Sequence, residues 1–96
     1  QPAIARVGRT LVVGICDLLL RDDDGWRLYD WKTGEAARHP AARIQLLVYA
    51  RLIAPRLDAP LVGAELIDVE RGERIVVDLD PKDLTDAWDL VARACG

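Results

Sequence analysis

The sequence predicts an α+β fold: a mixed central β-sheet flanked by helices, with elements in the order ββαββα. Three observations lead there. Two pairs of apolar, β-branched runs are each interrupted by a short acidic or glycine-bearing turn. Two further segments carry apolar residues at helical spacing, each opened by a proline. No repeat, linker or low-complexity tract separates these elements, so the 96 residues read as one domain with one modest core.

The first strand is predicted over Thr10 to Arg21 (TLVVGICDLLLR), and the second over Gly25 to Thr33 (GWRLYDWKT), where large apolar and polar side chains alternate. Asp22-Asp23-Asp24-Gly25 between them is a tight-turn sequence, so the two runs form an antiparallel hairpin. Both sides of the first strand are apolar, which places it in the middle of the sheet. Pro40 opens a helix over Ala41 to Ala54 with Ile44, Leu47, Val48 and Leu52 on one stripe, and Pro55 stops it. Leu61 to Glu70 and Arg74 to Leu79 make a second hairpin about Arg71-Gly72-Glu73. Asp80 then caps a last helix from Pro81 to about Ala94.

Composition narrows the function classes. With 51% hydrophobic and 30% charged residues the chain is globular rather than disordered. No run approaches the roughly 20 apolar residues of a membrane span, and Gln1-Pro2-Ala3 does not begin a signal peptide, so a soluble, cytosolic protein with no membrane partner is expected. Cys16 and Cys95 make neither a disulfide framework nor a paired zinc motif, and read as small buried hydrophobes. A formal charge of -3 gives no global pull on nucleic acid, so a polyanion would have to be held locally.

Asp17, Asp30 and Lys32 stand out against this background. If Asp23-Asp24 is the two-residue turn of the first hairpin, Asp17 lies opposite Asp30; if Asp24-Gly25 is, Asp17 lies opposite Lys32. Either register puts all three on one sheet face, whereas a three-residue loop would split them. That face would also carry Val13, Ile15, Leu19, Trp26 and Leu28, among which carboxylates are costly unless paired or metal-bound. Two readings fit the trio. One is a structural ion pair. In the other, two acids against one amine leave a negative charge for a hard cation such as Mg²⁺, and the lysine helps activate water and offsets charge on a phosphoryl group.

The residues around the trio carry a resemblance. Gly14-Ile15-Cys16-Asp17, Asp30-Trp31-Lys32-Thr33-Gly34 and Gln45-Leu46-Leu47-Val48-Tyr49 resemble the G-x-x-D, D-x-K-T-G and Q-x-x-x-Y motifs of the RecB-like branch of the PD-(D/E)xK nuclease superfamily, in the same order. The resemblance implies a restriction-endonuclease-like core and Mg²⁺- or Mn²⁺-dependent hydrolysis of DNA. It makes Asp17 and Asp30 metal ligands, the Trp31 carbonyl oxygen a further ligand and Lys32 the catalytic lysine. Gln45 and Tyr49, at i and i+4 on one helix face, would then look toward the active site and the DNA strand. An ordinary helix-sheet contact with Tyr49 half buried is the alternative.

Helicase-nucleases and proteins of DNA repair or recombination are the setting the resemblance implies, with a helicase domain or subunit as partner. The family also carries an upstream helix with a histidine or acidic ligand. With about nine residues before its first predicted strand, the chain is expected to be the C-terminal part of a nuclease domain, weakly active or inactive alone. His39, the sole histidine, reads as an exposed loop residue, and two cysteines do not suffice for the four-cysteine iron-sulfur cluster of some relatives. Thr33-Gly34 reads as structural, Gly34 allowing the turn out of the strand. Arg38, Arg43 and Arg51 read as phosphate contacts or a solvated face, and Trp26 and Trp31 as base-stacking or packing groups. Two other functions remain open: an inactive nuclease-fold module for DNA binding or protein contacts, and an assembly domain that covers an exposed sheet face by forming a homo-oligomer.

Overall fold

The computed structural model of the chain describes the backbone of residues 2–7 and 10–95 and the side chains of residues 16–94. Strands β1 (Pro2–Val7) and β2 (Thr10–Ile15) form an antiparallel hairpin. Then come β3 (Leu18–Arg21), β4 (Trp26–Lys32), a one-turn helix α1 (Glu35–Arg38), α2 (Pro40–Ile53) with a 3₁₀ turn at Ala54–Arg56, β5 (Leu61–Asp68), β6 (Glu73–Val76) and α3 (Pro81–Cys95). The second sheet has the order β3-β4-β5-β6. Its two hairpins are antiparallel and its central pair β4-β5 is parallel, joined across α1 and α2 as a parallel connection requires. A mixed sheet with helices in the order ββαββα is what the sequence predicts.

Asp22 and Gly25 exchange backbone hydrogen bonds of 2.9 and 3.3 Å, so Asp23-Asp24 is the two-residue turn. The Asp22 carboxylate further accepts the Asp24 and Gly25 amides. The register that follows pairs Leu18 with Tyr29 and Leu19 with Leu28, and carried one step on it sets Asp17 against Asp30. That is the first of the two registers left open by the sequence.

Two expectations change. The run Thr10 to Arg21 is not one strand but two, broken at Cys16 and Asp17, and residues 2–7, read as a lead-in, form a strand of their own. Moreover β3 is an edge of its sheet rather than its middle, and Leu20 is 48% exposed. The break has a local cause. In this register the Trp31 amide points at the position a continuing strand would fill with the Cys16 carbonyl. The Asp17 carboxylate takes that amide instead, at 2.8 Å. The ladder ends on a side chain, and the backbone is released toward the other hairpin.

Parity gives the sheet one covered face. Leu28, Asp30 and Lys32 on β4 lie beside Ala64, Leu66 and Asp68 on β5, and α2 covers them. The sequence assigns α2 a single apolar stripe, but from Leu46 to Ala50, and again at Leu52 and Ile53, every residue is buried. The reason is that α2 touches the sheet, the β1-β2 hairpin and α3 at once. Helix α3 starts where expected, the Asp80 carboxylate accepting the Lys82 amide at 2.8 Å, and buries Ala87 against the core.

Gly34, between β4 and α1, has φ +47° and ψ -115°, a conformation that side chains disfavour. Its amide is also held by a buried carboxylate described below, so the turn cannot easily relax. Gly34→Ala is expected to cost at least about 1–2 kcal/mol, lowering Tm with little change in the far-ultraviolet circular dichroism; an unchanged Tm would show that this turn is free to rearrange.

Candidate functional site

Asp17, Asp30 and Lys32 come together where β3 starts and β4 ends. Lys32 Nζ lies 3.1 Å from Asp30 Oδ2. Asp30 is buried at the edge of the apolar face, whereas Asp17, at the break between β2 and β3, is exposed. The two carboxyl groups are neighbours, and each perturbs the ionisation of the other. Burial first, and then the neighbouring Asp17, pushes Asp30 above the ordinary carboxylate range, with Lys32 opposing. Asp30 and then the Trp31 amide hold Asp17 below it. The pair is thus split, Asp30 upward and Asp17 downward, so Asp17 is the first of the two to ionise.

Such a pair suits a hard divalent cation. Two neighbouring carboxyl groups offer oxygen donors of the kind such a metal takes. No cluster of three His, Cys, Asp or Glu that could hold a metal occurs among the described residues. Remaining coordination would come from water, backbone oxygen or substrate, the way Mg²⁺ is usually held.

The Gln-x-x-x-Tyr pair divides. Gln45 is exposed on a groove of about 580 Å³ that runs between Lys32 and the α1-α2 corner, with Glu35, Arg38 and His39 on its walls. Tyr49, one turn later, is 1% exposed, buried beyond the half-burial of the alternative reading. Its hydroxyl engages the thiol of buried Cys16, and burial first, then Cys16, drives its pKa upward. Cys16, which immediately precedes Asp17, points its sulfur at the Leu18 carbonyl 3.6 Å away. Tyr49 thus packs behind the carboxylates rather than facing the groove. The side chain of Cys95 lies outside the described ones.

Other candidates have internal work. Arg43 pairs with Asp83 at 3.2 Å, and the Arg51 guanidinium lies 5.2 Å from the centre of the Trp88 ring. The Trp26 indole donates to Asp58 at 2.8 Å at the sheet edge, whereas Trp31 is 44% exposed on the face away from α2. His39 is exposed as expected, but it also caps α2, its Nδ1 accepting the Ala41 amide at 3.1 Å.

Asp68 is the residue the sequence reading missed. It ends β5, is wholly buried, and is saturated with donors: one oxygen accepts the amides of Gly34, Glu70 and Arg71 at 3.1, 3.0 and 3.1 Å, and the other is ion-paired with Arg38. Arg38 also reaches Glu73 at 3.1 Å. One carboxylate therefore ties the exit of β4, the β5-β6 turn and α1 together. Its signal was present: Asp68 shares strand parity with Ala64 and Leu66, so an acid stands where the pattern calls for an apolar residue. Arg38 first, then the amides, holds its carboxyl at about 2 against an ordinary 3.8, burial opposing. A folded-state pKa below the unfolded one stabilises fully above the unfolded value and is lost as pH falls through the folded one. Acid unfolding should therefore show a steep fall in stability between about pH 4 and pH 2 that is diminished in Asp68→Asn, as read by denaturant titrations across that window; identical slopes in both proteins would contradict the assignment.

A family model described as the PD-(D/E)XK nuclease superfamily matches residues 3–95. Comparison with curated proteins and with solved structures finds no match. No helix among the described residues is long and apolar enough to cross a membrane.

Proposed function

Because this chain belongs to the PD-(D/E)XK nuclease superfamily, we propose that its Asp17, Asp30 and Lys32 form a Mg²⁺- or Mn²⁺-dependent site for hydrolysis of DNA phosphodiesters. The observation that carries the reading is the convergence of two carboxyl groups and an amine: the hairpin register sets Asp17 against Asp30, and Lys32 Nζ lies 3.1 Å from Asp30. A stability-only ion pair needs one acid for one amine; here a second acid is placed against them, and the fold breaks a strand to put it there.

Asp17 and Asp30 would hold the cation, with the Trp31 carbonyl oxygen as a further ligand. The metal would supply a lowered water pKa and neutralisation of phosphate charge. Lys32, fixed at the rim of the apolar face, orients the attacking water and offsets the negative charge that builds on the phosphoryl oxygens. Exposed Gln45 lines the groove beside Lys32 and is positioned to contact the strand, while Tyr49 supports the Cys16-Asp17 segment from behind. The order of the three motifs supports a place in the RecB-like branch, with a nuclease module of a helicase-nuclease or a DNA repair or recombination protein as the setting and a helicase domain or subunit as partner.

The test uses labelled single- and double-stranded oligonucleotides with protein in excess, in Mg²⁺, in Mn²⁺ and in EDTA. Metal-dependent product that disappears in Asp17→Asn is the expected result. DNA retained on the protein without cleavage under any metal condition would instead favour an inactive DNA-binding module.

A further inference from the structure

Lys32 has two carboxylates within reach, and the structure shows why it serves only one. In the parallel register Lys32 is the direct partner of Asp68, both on the covered face, and neighbouring strands lie about 4.8 Å apart, well inside the span of a lysine side chain. The backbones are also locked there, the Val69 amide donating to the Lys32 carbonyl at 3.0 Å. A wholly buried carboxylate beside an ammonium should attract it strongly, because a buried charge demands a partner. Yet Lys32 turns the other way, to Asp30. Asp68 already has four donors: three backbone amides on one oxygen and Arg38 on the other.

We propose that Arg38 is a positioning residue which, by occupying Asp68, keeps Lys32 directed at the Asp17/Asp30 pair. This rests on the functional reading given above. Arg38 reaches Asp68 from α1, and Gly34, the residue that starts α1, gives Asp68 one of its amides while its carbonyl accepts from Arg38 at 3.3 Å. The Asp-x-Lys strand end and the clamp that sets its lysine are thus built as one unit. Without the guanidinium, one Asp68 oxygen is left uncompensated in the interior, and the Lys32 ammonium is the cation that the strand register places directly beside it.

The test is a pair of variants with opposite outcomes. In Arg38→Gln, Lys32 transfers to Asp68, and kcat for DNA cleavage falls by about tenfold or more with KM nearly unchanged. In Arg38→Gln/Asp68→Asn no unpaired carboxylate competes for Lys32, and kcat recovers most of that loss. Thermal melts of both variants accompany the kinetics, since a merely structural role would make kcat follow the folded fraction. A readout independent of cleavage is available because the chain has two lysines, Lys32 and Lys82. With ¹³C-lysine labelling, nuclear Overhauser contacts of the Lys32 ε-methylene should move from Asp30 to Asp68 in the single variant and return in the double. Contacts that stay on Asp30 in folded Arg38→Gln, or no return in the double variant, overturn the proposal. If the parent cleaves no DNA while the contacts shift as stated, the nuclease reading fails and the positioning role stands.

Discussion

The Asp30→Asn variant is expected to fold as the parent does and to lose metal-dependent DNA cleavage by about 100-fold or more, with Lys32→Ala losing activity on a similar scale. Folding should survive because burial first, and then Asp17, already raise the pKa of Asp30, so a neutral amide of the same shape is well suited to this position. An amide there is able to donate a hydrogen bond to the Asp17 carboxylate. What it cannot do is offer a charged oxygen to a cation, so the substitution separates architecture from chemistry. Single-turnover cleavage alongside thermal melts checks this. Parental activity in folded Asp30→Asn would remove Asp30 from the mechanism, while loss of folding would recast the pair as structural.

Tyr49→Ala is expected to act on stability, with a cost of about 3–5 kcal/mol. Tyr49 is the largest of the wholly buried side chains, packed within the cluster that holds Leu28, Leu47 and Leu66. At about 4–8 °C per kcal/mol for a domain of this size, Tm should fall by on the order of 20 °C. Tyr49→Phe keeps the ring and loses the hydroxyl with its contact to the Cys16 thiol, so it should stay within about 1.5 kcal/mol of the parent and retain most activity. Differential scanning calorimetry separates the two variants. A parent-like Tm for Tyr49→Ala, with activity lost, would instead put the tyrosine at the substrate.

The contrast between Tyr49 and Gln45 shows how far the sequence could be read. Spacing put both on one side of α2, and the helix does carry them one turn apart. Spacing does not say where the covering elements stop, however, and Gln45 is left in the groove while Tyr49 lies inside. The Asp17/Asp30/Lys32 trio was legible because strand parity and a two-residue acidic turn fix which residues share a face. The break at Cys16 and Asp17 was not. Thr10 to Arg21 is apolar and β-prone throughout, and only a long-range hydrogen bond, from the Trp31 amide to the Asp17 side chain, ends the ladder. Asp68 was obscured for a related reason. Its meaning lies in four donors drawn from Gly34, Arg38, Glu70 and Arg71, and no local window contains them all.

Direct titration of Mn²⁺ into the metal-free chain by calorimetry tests the central claim most closely, because it asks about the carboxylate pair without requiring turnover. Uptake of metal by the parent, lost in both Asp17→Asn and Asp30→Asn while each variant remains folded, is the predicted result. No uptake by the parent, or uptake that persists undiminished in either variant, would contradict the assignment of Asp17 and Asp30 as a metal-holding pair.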